Sequence, residues 1–326
     1  MDWVVPLSNS LKLVCLTLFA AACLAAAGCG EPAGSPAGTA AVGESATPAV
    51  LVTHPVLLEA ARAMSAGTEI SVRAAIPDPA ASREWRPQSR DVRTMQQAVL
   101  VVMNGASWEP WTSRVSLPAS RVVVTSQPFE SELIRIPDAI THQHGPEGRH
   151  SHAGTVTATW LSPVLLEAQT DALADALRTK FPQHSDVLAP QVGALKAGLQ
   201  QPRRLAEQLR DVSQSQRPFV ITDSPLYLYL LRDLGWEGRY LTGQESGLLE
   251  PEQLVELDKA AAESPDVPLR LFLVNDQRPA DVDAVAAQRK LQVVRMDLCL
   301  TAVEGKTVGQ RLAGNLQRLL DVVQKN

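Results

Sequence analysis

The sequence is short of cysteine, of aromatic residues and of basic charge. Three of its four cysteines, Cys15, Cys23 and Cys29, lie within the first 29 positions, leaving Cys299 alone in the rest of the chain. If the chain is processed at Cys29, Cys299 is the one free thiol left, and neither an internal disulfide nor a cysteine-based zinc site is then possible. Aromatic residues make up only 4% of the chain, so Leu, Val and Ala must fill the core that a 45% apolar composition makes possible. The net charge of -5 argues against general nucleic-acid binding, which needs clustered Lys and Arg. No Gly-x-Ser-x-Gly, Walker A, His-Glu-x-x-His or Gly-x-Gly-x-x-Gly motif is present, so nothing marks an enzyme. The 326 residues suffice for two domains of ordinary size.

Leu13 to Gly28 is a run of sixteen apolar and small residues, shorter than the roughly 20 that a membrane-spanning helix requires. It ends in Ala26-Ala27-Gly28 before Cys29, the architecture of a signal peptide over residues 1–28. The Ala-Ala-Gly-Cys ending resembles a bacterial lipobox, which implies lipidation of the Cys29 thiol and attachment to a membrane; plain secretion with cleavage nearby is the alternative. Gly30 to Pro48 is rich in Gly, Ala, Pro, Ser and Thr and shows no apolar periodicity. Residues 29–48 therefore read as the lipidated Cys and a disordered tether, with a reach on the order of 25 Å.

From Ala49 the pattern alternates strands and helices. Strands are expected at 49–53, 69–75, 99–103 and 121–125, with helices from His54-Pro55 onward, at 91–97 and at 108–115. After two helical stretches, 163–181 and 185–214, the alternation resumes. Strands are expected at 219–222, 239–242, 269–274 and 291–296, with helices at 226–234, 251–262, 280–288 and 308–324. Pro190 and Pro202 are expected to kink or divide the second helical stretch. The fold class is α/β: two Rossmann-like lobes joined by a long helical segment, with the ligand crevice between the lobes near the carboxyl ends of the strands. The expected boundaries are 49–162 for the first lobe, including a His-rich loop at 142–152, then 163–216 for the connecting helices and 217–326 for the second lobe.

The strongest chemical signal is four histidines within eleven residues: His142, His144, His150 and His152. In extended backbone, residues i and i+2 share a side, so each His-x-His pair presents two imidazoles together. Gly145, Pro146 and Gly148 can turn the two arms face to face. Four neutral imidazoles suit zinc, copper or nickel better than magnesium or calcium. The segment reads as ligands of the main site, as an auxiliary collecting loop, or as a solvated loop without a metal role. Glu147 is a candidate general base only if the metal is catalytic, and as a turn residue it reads as solvated. His54 reads as structural or solvent-facing and His184 as surface. Trp85, Trp108, Trp111 and Trp160 read as core or lobe-surface residues.

Three stretches resemble a known family: Asp91 to Ala98, Val101 to Trp111, and His150-Ser151-His152-Ala153-Gly154 running to Thr159-Trp160-Leu161-Ser162-Pro163. Met296-Asp297 adds a weaker match. The chain is similar to the cluster A-I substrate-binding proteins of zinc and manganese ABC transporters. The resemblance implies two α/β lobes joined by a rigid backbone helix, a metal held between the lobes and its delivery to an ABC permease; the protein is expected to be a monomer, attached to the membrane through its lipid anchor. The cargo is expected to be zinc, with manganese or another divalent transition metal as the alternative. It also implies three His and one acid as ligands, yet the matching positions here are Arg83, Ala158 and Thr222 or Ser224. Only the acid survives, as Asp297, with Asp276 a second candidate. Arg83 would repel a cation unless paired, for example with Glu84, or could help bind an anion. Either the histidine segment replaces the missing ligands or the crevice no longer holds metal. The alternative functions are a metal-buffering or chaperone lipoprotein without a transport role, and a receptor repurposed for a non-metal solute.

Overall fold

The strands form in short, almost uninterrupted apolar runs. All four residues of Leu100–Met103 and all six of Arg270–Asn275 are buried, as expected of parallel strands covered on both faces. The computed structural model describes residues 49–143, 149–215 and 217–325, with side chains described outside 137–143 and 149–153.

The first half comprises β1 (Ala49–Val52), α1 (Pro55–Met64), β2 (Ser71–Ala74), α2 (Ser89–Gln97), β3 (Leu100–Met103) and β4 (Val122–Val124). Its sheet is parallel, in the order β2-β1-β3-β4. A separate antiparallel pair follows, β5 (Arg135–Gln143) and β6 (Arg149–Thr155), with a register shift between Ile136 and Ile140. Helices α3 (Pro163–Lys180) and α4 (Ser185–Val212) come next. The second half contains β7 (Phe219–Thr222), α5 (Leu228–Leu234), β8 (Gly238–Tyr240), α6 (Pro251–Ala262), β9 (Arg270–Asn275), α7 (Asp281–Ala287), β10 (Gln292–Met296) and α8 (Val308–Lys325). Its sheet is again parallel, in the order β10-β9-β7-β8. Read from the first strand of each half, the two orders are the same: second, first, third, fourth.

Local chemistry sets the helix ends. Proline opens α1, α3 and α6, where its missing N–H costs no intrahelical bond. The Ser162 hydroxyl caps α3 by accepting from the Leu165 amide at 3.1 Å. Gly235, at φ 67°, stops α5. Two expectations are corrected. α4 is one 28-residue helix with Pro190 and Pro202 inside it, so the prolines do not divide it. Residues 108–115 hold a 3-10 turn at Pro110–Arg114 rather than an α-helix, ending at Val115 in extended backbone.

The largest apolar cluster joins the halves. Trp108, Trp160 and Leu161 of the first pack with Tyr227, Met296, Leu298 and the inner face of α8 from the second. The Trp160 indole N–H donates to the Leu298 carbonyl at 2.8 Å. The Tyr229 hydroxyl donates to the Val156 carbonyl and accepts from the Ile134 amide, both at 3.1 Å. Glu59 accepts the Val308 amide at the start of α8 at 2.9 Å.

Candidate functional site

Open α/β sheets bind ligands outside the carboxyl ends of their strands, where the strand order reverses. In the first half that point lies between β1 and β3. Glu109, 4% exposed, holds it together. Its carboxylate accepts the Thr53 hydroxyl at 2.6 Å and the amides of Asn104 and Gly105 at 2.8 and 3.0 Å. Burial pushes the Glu109 carboxyl up to about 7, against the pull of those donors. The bonds fix three successive residues at positive φ: Gly105 at 77°, Ala106 at 48° and Ser107 at 63°. At Gly105 a side chain is barred as well, since a Cβ would lie 2.2 Å from the Ser126 hydroxyl oxygen. Asn104, Thr125, Thr159 and Gln169 complete a neutral buried network, with Gln169 donating to both Asn104 and Thr125 at 2.9 Å.

His54 follows β1 and is fully buried. Its ring centroid lies 4.2 Å from that of Trp160 and 4.9 Å from that of Trp108, and neither ring nitrogen has a hydrogen-bond partner. Burial lowers its pKa to about 3, so the imidazole is neutral. This histidine is a structural residue of the inter-half core. Trp108, Trp111 and Trp160 are buried, and Trp85 packs edge-on to Trp111 at 5.2 Å.

The second half places an acid beyond the end of every strand: Asp223 after β7, Glu245 after β8, Asp276 after β9 and Asp297 after β10. Three of them face guanidinium groups. Asp223 pairs with Arg278 at 2.6 Å, with both side chains fully buried, and also accepts the Asn275 amide at 3.0 Å. Burial pushes the Asp223 carboxyl up to about 6 against the Arg278 hydrogen bond. Glu245 pairs with Arg83 at 2.8 Å, so the partner of Arg83 is Glu245 of the second half rather than neighbouring Glu84. Asp297 is held on two edges: Arg311 Nε donates to Oδ2 at 2.7 Å and Nη2 to Oδ1 at 2.6 Å, while the Cys299 amide reaches Oδ1 at 2.7 Å. Burial works against its ionisation, but the Arg311 hydrogen bonds dominate and leave its pKa lowered. Burial and the Asp297 charge raise that of Asp276.

Of the ligand positions implied by the family resemblance, Arg83 and Asp297 are paired with Glu245 and Arg311, whereas the buried Ser224 hydroxyl has no hydrogen-bond partner. Ala158 is buried and offers no donor atom, and the Thr222 hydroxyl donates to the Ser224 carbonyl at 2.7 Å. Both carboxylate oxygens of Asp297 accept from Arg311. Among the described residues no group of three or more His, Cys, Asp or Glu is placed to hold a metal ion.

The histidine segment lies on β5 and β6. Their ladder sets His142 directly opposite His150 and Ile140 opposite His152. His144 and Glu147 lie outside the described residues, as does Cys29. Sequence reasoning passed over Glu109, Asp223, Glu245 and Arg278. Asp223 stands between the two positions singled out, Thr222 and Ser224, but its pairing with a residue 55 positions away leaves no trace in spacing.

The model of the family described as zinc-uptake complex component A, periplasmic, matches residues 50–324. The chain belongs to that family. It is therefore one of the periplasmic metal-binding substrate-binding proteins, which are binding proteins rather than enzymes. The metal-free periplasmic metal-binding protein of Candidatus Liberibacter asiaticus matches with a TM-score of 0.65 at 14% identity, over 85% of this chain and 99% of that one. The metal-dependent lipoprotein YcdH of Bacillus subtilis matches with a TM-score of 0.65 at 16% identity, over 84% of this chain and 97% of that one. These likenesses show the two-lobed α/β fold. A Treponema pallidum protein named for metal binding is 26% identical over 220 residues, 64% of this chain and 68% of that protein. Among the described residues no helix is long and apolar enough to cross a membrane.

Proposed function

We propose that this family member captures a divalent transition metal, zinc foremost, on its histidine hairpin and passes it to an ABC permease, while anchored to a membrane through Cys29. The observation that carries the reading is the β5–β6 register, which opposes His142 and His150 and sets His152 two residues further along the same strand. Directly opposed residues of an antiparallel pair share a face of the ladder. With His144 added, the segment supplies four imidazoles, enough for a tetrahedral zinc site. The arginine-filled strand ends support the same reading from the other side, because Arg83 and Arg311 already neutralise acids there. Asp297 then acts as the counter-ion of Arg311 rather than as a ligand. Relatives bear on the choice of metal: manganese- and cadmium-bound forms of the Liberibacter protein are among the matching structures.

Metal analysis of the purified protein tests the reading, run beside a variant with His142, His144, His150 and His152 all changed to Ala. One equivalent of zinc in the parent and none in the variant is the expected result. Equal metal content in both removes the hairpin from the mechanism. Because ligation requires neutral imidazole, zinc affinity falls as pH drops below the ordinary histidine range of about 6.5.

A further inference from the structure

Arg83 and Glu245 are 162 positions apart and belong to opposite halves, yet their side chains meet at 2.8 Å. An ordinary exposed pair of this kind contributes little, because two long side chains must be ordered to form it. Here both are delivered by braced segments. Beneath Glu245, the buried Arg278 donates to the carbonyls of Gly247 at 3.0 Å and Gln244 at 2.5 Å. The Asn275 side-chain amide donates to the Glu245 carbonyl itself at 3.1 Å. Gln253 adds a further bond to Gln244 at 3.1 Å. On the other side, Asp78 caps the 3-10 turn that leads to Arg83 by accepting the Ala80 amide at 3.0 Å. The buried Ser82 hydroxyl accepts the Trp111 indole N–H at 3.3 Å, fixing the residue next to Arg83.

We propose that Arg83 and Glu245 form a clasp that fastens the two halves together, and that Asn275 and Arg278 are the positioning residues that present Glu245 to it. The guanidinium supplies the positive charge between the halves. Because the backbone carbonyls of the Glu245 loop are already pinned, less ordering remains when the pair forms than between two unbraced segments. The clasp does not depend on where the metal is held. Since both side chains remain about one-third exposed, it weakens as salt rises.

Hydrogen exchange by mass spectrometry on the full chain tests this. Arg83→Gln and Glu245→Gln are each expected to speed exchange by roughly two- to five-fold, the range of a surface pair of this strength. The faster exchange should appear in both residues 79–88 and residues 243–250, including the segment left unmutated. The charge-swapped double variant, Arg83→Glu with Glu245→Arg, should return both segments to near the parent rate. Asn275→Ala, which leaves the clasp residues in place, should loosen both segments as well. Unchanged exchange in the unmutated segment, or a swap no slower than the single variants, overturns the clasp. Loosening of residues 243–250 alone in Asn275→Ala overturns the positioning role.

Discussion

At the carboxyl end of the first sheet, Glu109 joins the ends of β1 and β3 by accepting from Thr53 and from the amide of Asn104. At the carboxyl end of the second, Asp223 stands at the end of β7 and accepts the amide of Asn275 at the end of β9. Both sheets have the same strand order, and each has a buried carboxylate tying its first strand to its third. The compensation differs. Glu109 is surrounded by neutral donors and its proton affinity rises to about 7, whereas Asp223 is given a full positive charge by Arg278. One end of the molecule is a neutral hydrogen-bonded platform and the other a set of acids matched to arginines.

The largest expected effect comes from removing one of those built-in charges. Arg278→Met leaves Asp223 buried without a counter-charge and frees the carbonyls of Gln244 and Gly247. Breaking a buried pair from one side costs about 3–5 kcal/mol, which chemical denaturation would register. The double variant Arg278→Met with Asp223→Leu should recover much of that loss, because no uncompensated charge remains. A single variant as stable as the parent would show that the two ends are not held by different means.

In the first half the corresponding weak point is backbone. Gly105→Ala must accept φ 77° and a Cβ at 2.2 Å from Ser126 Oγ and 2.4 Å from Val124 Cγ1. Left-handed strain costs of order 1–3 kcal/mol, and the clash adds to it. No such position exists at Asn275, the matching strand end of the second sheet.

Much of the architecture can be read from the chain because the signals are local. Apolar runs such as Leu100 to Met103 and Leu271 to Val274 read as buried strands, and Pro251 to Ala262 coincides with its helix. The crevice is less legible, since its chemistry comes from pairs 55 and 162 residues apart that no period or motif reveals. Arg83 was visible as an anomaly at a ligand position, but its partner was not. Glu109 sat inside a stretch that carried the family resemblance, and only the folded chain shows it bracing three left-handed residues. His54 could be given a buried role only once the two tryptophans beside it were in place.

Acid and base sharpen the comparison next. His54 has its pKa lowered from 6.5 to about 3, so between those values the unfolded chain binds the extra proton and stability falls as pH falls. Glu109 has its pKa raised from 4.5 to about 7, so its proton is bound in the folded state and its contribution is lost as pH rises through that window. The two slopes oppose one another between pH 4.5 and 6.5, each about 1.4 kcal/mol per pH unit. Glu109→Gln should therefore make stability rise with pH more steeply across that window. His54→Phe should shift the slope the other way. Urea denaturation at half-unit pH steps measures both, and parallel curves for all three proteins would contradict the burial that drives the shifts.

The smallest effect decides whether an acid of the second sheet serves the fold or the cargo. Asp297→Asn keeps an acceptor beside Arg311 and an oxygen for the Cys299 amide, but removes the charge. Arg311 is buried, at 2% exposure, but Asp297 is 20% exposed, so water can take up part of the unmatched charge and the cost should be about 1–2 kcal/mol. If Asp297 is the counter-ion that its two bonds to Arg311 describe, the variant loads zinc to the same stoichiometry and with the same affinity as the parent. A ligand carboxylate behaves differently: its loss would weaken metal binding well before it disturbed the melting temperature. Isothermal titration and thermal denaturation of the same sample therefore separate the two roles, because each predicts that a different one of the two measurements moves.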